Sequence, residues 1–176
     1  VLVVIFAAGS AGQIAAIIMG GLAGLWLCRG GAVPAAGHLT FAVPKRVGFA
    51  ALALFFLLLF LLPVLSGAAA LQSLALFDAF YRAGSLVFGG GHVVLPMIER
   101  EVVPTGLVTA DQFLAGYGMA QAVPGPLFTF ASYLGTVMLG TTGGIIATIA
   151  MFLPSFLLVM SALPFLNVLR GNKNFQ

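Results

Sequence analysis

The sequence predicts an all-α, polytopic membrane protein with broken or re-entrant helices, on three observations. The first is composition. Of 176 residues, 61% are hydrophobic and 6% are charged, whereas soluble domains carry about 25% charged residues. The second is the length of the uncharged runs: Val1 to Leu27, Val47 to Leu65 and Gln112 to Leu169 contain no Lys, Arg, Asp or Glu. About 20 apolar residues cross roughly 30 Å of hydrocarbon, and only helices or closed barrels satisfy the backbone there. These runs are continuous rather than alternating, so they read as helices. The third is that two clusters of Gly and Pro, "FGGGHVVLP" and "AVPGPL", interrupt the apolar pattern.

The first helix is expected over about Leu2 to Leu27, as a membrane span rather than a signal peptide, since it lacks a basic start. Gly20 and Gly24 are spaced for a close helix contact. Residues 28–46 form a Gly- and Pro-rich connector with Arg29, Lys45 and Arg46, which the positive-inside rule places in the cytoplasm; Cys28 and His38 are a helix-end and a loop residue. A second span runs from about Val47 to Leu65 and is expected to end near Pro63. A third helix, about Ala70 to Phe88, carries Asp78, Arg82 and Ser85 on one face. A short helix then starts near His92 and runs into Glu99, Arg100 and Glu101. The next opens at "TADQF", where Thr109 and Gln112 fit a capping box, and stops before Pro124. A further helix runs from Pro126 to about Leu139, "GTTGG" turns the chain, and Ile145 to Leu169 forms the last helix, with Pro154 and Pro164 as kinks. The chain thus divides into 1–46, a helix plus basic connector, and 47–176, a membrane domain.

At the first break, Gly89 is suited to end one helix. Gly90 and Gly91 allow backbone N–H groups to face a guest, and the helix from His92 adds its unpaired first-turn donors and positive dipole end. Pro96 falls within or just beyond that turn. At the second break, Pro124 stops a helix, Gly125 turns the chain and Pro126 suits position N1. The N–H groups of Leu127 and Phe128 are then free donors. Below them Thr129, Ser132, Tyr133 and Thr136 form a polar stripe, and Tyr117 and Gln121 pair on the preceding helix. Such paired breaks build sites in secondary transporters, here for an anion. The same glycines also permit close helix packing, and the same prolines mere kinks.

Asp78 and Arg82 stand at i, i+4 in the favourable order for an ion pair. They neutralise each other, or Arg82 serves an oxyanion with its planar fork. His92 either caps its helix or carries a proton near neutral pH. Glu99 and Glu101 decorate the membrane surface, and Glu99, like Asp78, is also a candidate for proton coupling. Asp111 complements a helix dipole. No catalytic constellation is visible, so an enzyme is not expected. Nor are a metal site or a cofactor, and a single cysteine excludes an internal disulfide. The net charge of +3 is too small and scattered to imply a nucleic-acid partner; the partner is the lipid bilayer.

The motifs "FGGGHVVLPMIEREVV", "DQFLAGYGMAQAVPGPLFTFASYLG" and "GGIIATIAMFLPSFLLV" together resemble the chromate ion transporter family, best from about Phe77 to Val159. The pattern resembles the C-terminal half of a long-chain member. The resemblance places the family's motifs on Phe88, Gly89, Gly90, Gly91, Pro96 and Glu99, and on Gln121, Pro124, Gly125 and Pro126. It implies efflux of chromate across a bacterial cytoplasmic (inner) membrane, with sulfate as the competing anion and a homologous second half or a second copy as partner. On that comparison a first half and the final C-terminal helices are missing, and a piece of a longer protein is expected.

The reading that results is secondary transport of a tetrahedral divalent oxyanion. Gly89, Gly90, Gly91, His92, Gly125, Leu127 and Phe128 face the guest with Arg82, Gln121, Thr129 and Tyr133. A non-transporting scaffold or assembly subunit, or an uncoupled anion channel, is the rival. If Ala70 to Ile98 and Asp111 to Leu139 are both re-entrant from outside, Arg170 and Lys173 end inside with the basic connector.

Overall fold

A computed structural model describes residues 19–24, 26, 43–68, 71–86 and 91–171, with the backbone alone at 68, 91–94 and 165–171. Residues 19–24 and Trp26 are helical. The rest of the expected first span, the connector as far as residue 42 with Cys28, Arg29 and His38, and Val87, Phe88, Gly89, Gly90 and Lys173 lie outside the described residues, while Lys45 and Arg46 of the expected connector are helical.

Every regular element among the described residues is a helix. In order they are α1 (Lys45–Ala68), α2 (Gln72–Ser85), α3 (Gly91–Val102), α4 (Ala110–Ala122), a 3-10 turn (Leu127–Thr129) and α5 (Phe130–Gly171). The chain forms two compact units, 1–52 with 159–176, and 53–158. In the first, Gly48 lies against Pro164 and the Ser161 carbonyl, where a Cβ would collide.

α1 is apolar throughout, and 24 residues extend for about 36 Å, enough to cross hydrocarbon. It runs through Pro63 rather than ending there. In a helix without competing water, the missing Pro N–H costs one hydrogen bond, which neighbouring side chains and local adjustment offset. Phe56, Leu57, Phe60 and Val64 project outward, Phe60 being 69% exposed. Such a surface is stable against lipid tails.

In the 53–158 unit, α2 is the buried centre. Tyr81 is fully buried, and its hydroxyl donates to the Phe55 carbonyl of α1 at 3.1 Å. Around it Leu76, Phe80, Val102, Val108, Phe113, Phe130 and Leu134 complete the core. Gly84 meets the backbone of Met151, leaving no room for a Cβ.

The expected capping box is present: the Gln112 N–H donates to Thr109 Oγ1 at 3.2 Å, and the Thr109 N–H to Gln112 Oε1 at 3.0 Å. Replacing Thr109 with alanine should lower stability by about 1 kcal/mol, read as a small drop in Tm with anion transport retained.

The last turn differs from expectation. The chain reverses at Leu139 and Gly140, and helix resumes at Thr141, so "TTGG" is helical rather than a loop. Gly140 adopts φ 65°, open to glycine without penalty. The two arms then pack backbone to backbone: a Cβ on Gly135 would strike the Gly143 carbonyl, and one on Gly144 would strike Thr136 Oγ1. Because small residues let the arms touch immediately, no spacer loop is needed. Pro154 and Pro164 sit in the second arm without non-helical backbone angles. That arm, with α1, supplies the apolar length for a span.

Candidate functional site

The second interruption is present and bordered by a helix start, whereas residues 87–90 of the first lie outside the described residues. α2 ends at Ser85, with the Leu86 N–H closing on the Arg82 carbonyl at 3.1 Å. α3 begins at Gly91, one residue before the expected start. Gly91, His92 and Val93 are the first described residues of α3. Pro96 lies inside α3, so the His92 carbonyl loses its usual donor. Structurally, the His92 side chain is outside the described residues.

At the second interruption α4 ends at Ala122, and Val123 turns to extended backbone. Pro126 stands at φ −67°, ψ 134° as the N-cap of the 3-10 turn. It is thus one position earlier than the expected N1, because the chain tightens before the α-helix begins. The Leu127 and Phe128 N–H groups open this turn and have no partner within it; the Thr129 N–H closes on the Pro126 carbonyl at 3.0 Å.

A small recess lies between α3 and the second break. Its walls are Leu95 and Ile98 from α3, Leu127, Phe128, Phe130 and Ala131 from the second break, and Met151 from the far arm. These side chains are apolar, so polar contact with a guest falls to backbone donors. Gln121 and Gly125 are exposed beside the second break, and the Gln121 amide donates to the Tyr117 hydroxyl at 2.7 Å.

The hydroxyl stripe is more committed than its spacing implies. Thr129 donates to the Pro126 carbonyl at 3.0 Å, Tyr133 to the Gln112 carbonyl at 3.2 Å and Thr136 to the Ser132 carbonyl at 2.8 Å. Ser132 and Thr136 also face Gly144 across the hairpin. Below Thr129 the stripe therefore serves packing between helices.

Arg82 belongs to a separate cluster. Its Nη2 lies 3.3 Å from Asp78 Oδ2, the expected pair, and 3.4 Å from Glu101 Oε2 at the end of α3. Glu101 is ten residues beyond Gly91, or about 15 Å along the helix axis. The structure thus brings Asp78, Arg82 and Glu101 together but does not bring the guanidinium to the first turn of α3. Ser66 of α1 joins them, its hydroxyl 3.3 Å from Asp78 Oδ2. Neither Ser66 nor Glu101 stands near Asp78 in sequence, and no local spacing reveals them. Glu99 is exposed on the same last turns of α3.

Known proteins resemble this region. The chain is 36% identical over 83 residues to a chromate transport protein of Pseudomonas aeruginosa, covering 47% of this chain and 20% of that one. It is 35% identical over 96 residues to a probable chromate transport protein of Synechococcus elongatus, covering 54% and 24%. An uncharacterized transporter of Bacillus subtilis, YwrB, is 40% identical over 93 residues, covering 52% and 47%. The chain thus spans between about a fifth and a half of these relatives. No solved structure is significantly similar to it. The chromate transporter family model matches residues 74–176, a stretch that holds α3, both breaks and that recess, and by that match the chain belongs to the chromate transporter family.

Proposed function

We propose that this chain forms part of a secondary transporter that exports a tetrahedral divalent oxyanion, chromate, across a bacterial cytoplasmic membrane, with sulfate competing. The observation that carries the reading is that α3 and the 3-10 turn after the second break, whose described starts are 36 residues apart in sequence, line one small recess. Each start directs unpaired amide hydrogens and a positive dipole end toward its own first turn. Together they replace part of the hydration of a dianion in a place where water is scarce.

In this reading Gly91, His92, Leu127 and Phe128 contribute backbone donors, Gly89 and Gly90 shape the first turn, and Gly125 turns the chain into the second. Gln121 retains an amide hydrogen beside the second break, where Thr129 is also exposed. Arg82 is held between Asp78 and Glu101 and is assigned no contact with the guest. Chromate and sulfate share charge and shape, so backbone donors discriminate poorly between them. A homologous second half, or a second copy, completes the pathway.

The test isolates one donor. Leu127→Pro deletes a single N–H at a helix start, where proline is tolerated; Pro126 already has the extended backbone that a following proline requires. Losing one hydrogen bond to a charged guest costs about 1.5–3 kcal/mol, so the KM for chromate should rise roughly 10- to 100-fold with normal membrane insertion. Flux is measured with the full-length protein in sealed vesicles, comparing chromate, sulfate and molybdate across an imposed pH gradient. A correctly inserted wild-type protein that moves none of them is a scaffold, and unaltered flux in Leu127→Pro removes the backbone site.

A further inference from the structure

One buried group has no role in anion binding as described. Asp78 is 4% exposed, and its Oδ1 has no hydrogen-bond partner among the described residues. Its Oδ2 is shared by the Arg82 guanidinium and the Ser66 hydroxyl, each at 3.3 Å. That hydroxyl has one hydrogen, yet the Pro63 carbonyl also lies 3.1 Å from it. Two acceptors compete for one hydrogen, and a third, Oδ1, receives none.

The charges show the same deficit. Arg82 contributes +1, and Asp78 and Glu101 contribute −1 each, so one guanidinium serves two carboxylates; Glu101 is half exposed, whereas Asp78 is buried. A buried carboxylate that shares its counter-charge is costly to keep ionised. One added proton lowers both costs. On Oδ2 it neutralises the carboxylate, so that Oδ1 becomes a carbonyl oxygen, less costly to bury without a partner. It is donated to Ser66 Oγ, releasing the Ser66 hydrogen to the Pro63 carbonyl. A metal ion needs a set of ligands, and the described residues hold no group of three His, Cys, Asp or Glu able to supply one.

We infer that Asp78, framed by Ser66, Arg82 and Glu101, binds a proton that moves with the anion. This rests on the transport reading above. The step is a plain protonation: the carboxylate takes one proton and becomes a neutral acid, and no other bond forms or breaks. The groups facing it come from three helices, Ser66 from α1, Arg82 from α2 itself and Glu101 from α3. When Asp78 is neutral, Arg82 keeps Glu101 as its one anionic partner, which alters what ties α2 to α3, the helix whose first turn is offered to the anion. A dianion moving with one proton carries a net charge of −1, which an inside-negative potential still drives outward.

The full-length protein in sealed vesicles, with a pH-sensitive dye, tests this. Wild-type chromate efflux should be accompanied by proton movement in a one-to-one ratio. Asp78→Asn, which has the shape of the protonated acid, should still exchange anion but move no protons and lose its pH dependence. Glu101→Gln removes a negative neighbour, so the pH of half-maximal flux should fall by about half a unit to one unit. Wild-type flux without protons, proton movement retained in Asp78→Asn, or an unmoved profile in Glu101→Gln overturns the inference. If Asp78→Asn does not fold, the wild-type ratio and the Glu101→Gln profile decide. An absence of any anion flux in the wild type refutes the transport reading first.

Discussion

Adding one methyl group at Gly135 should prevent the protein from accumulating in the membrane, whereas the same methyl at Gly118 should leave it intact. At Gly135 the new carbon meets the Gly143 carbonyl and the Ala147 side chain. The first of these is backbone, and no rotamer change moves it aside. Overpacking costs about 1–3 kcal/mol where side chains can yield, and more is expected where two helix axes must separate. Ser132 and Thr136, which approach Gly144 in the same seam, would lose contact together. At Gly118 nothing lies within 4 Å, and the gain in helix propensity is at most about 1 kcal/mol. Size-exclusion profiles of the two detergent-solubilised variants check the contrast. Equal profiles would mean that the arms are not in contact.

Phe130→Ala should give the largest loss among the core side chains. Phe130 is 2% exposed. Its ring meets Phe113 edge-on at 5.0 Å and Tyr117 at 6.4 Å, and stacks on Tyr133 at 6.3 Å. Truncating a buried Phe costs about 3–5 kcal/mol in water-soluble cores. Within lipid the transfer component shrinks, because lipid tails are as apolar as the core. What remains is lost dispersion and the cavity, so about 3 kcal/mol is expected. Unfolding midpoints in detergent measure it. Because Phe130 directly follows the 3-10 turn and lines the recess, the KM for anion should rise as well, and Phe130→Leu should recover part of both losses.

Features set by neighbours in the chain were legible before the structure. The Thr109–Gln112 cap, the end of α4 before Pro124 and the Asp78–Arg82 pair all follow from local signals, whereas α2 ends at Ser85, short of the expected Phe88. Three features were not. α1 passes through Pro63, because a continuous apolar run outweighs one missing hydrogen bond where no water competes. The turn at Leu139–Gly140 came earlier than "GTTGG" implied, since glycine-rich sequence serves equally as a loop or as a helix face against another backbone. The polar stripe was correct in its periodicity, but Ser132 and Thr136 proved to face the hairpin, and periodicity does not say which neighbour a face meets. Likewise Glu101 reaches Arg82 from 19 residues away and Ser66 reaches Asp78 from 12; contacts at such separations depend on how helices are placed, which no local pattern encodes.

The sealed seam between the arms of α5 has a mechanical consequence. Two rods locked at their backbones resist shear and bending as a single blade, so a change of access cannot be accommodated by parting them. Bending beside the blade is left to residues 123–126, which are exposed and lie outside any helix.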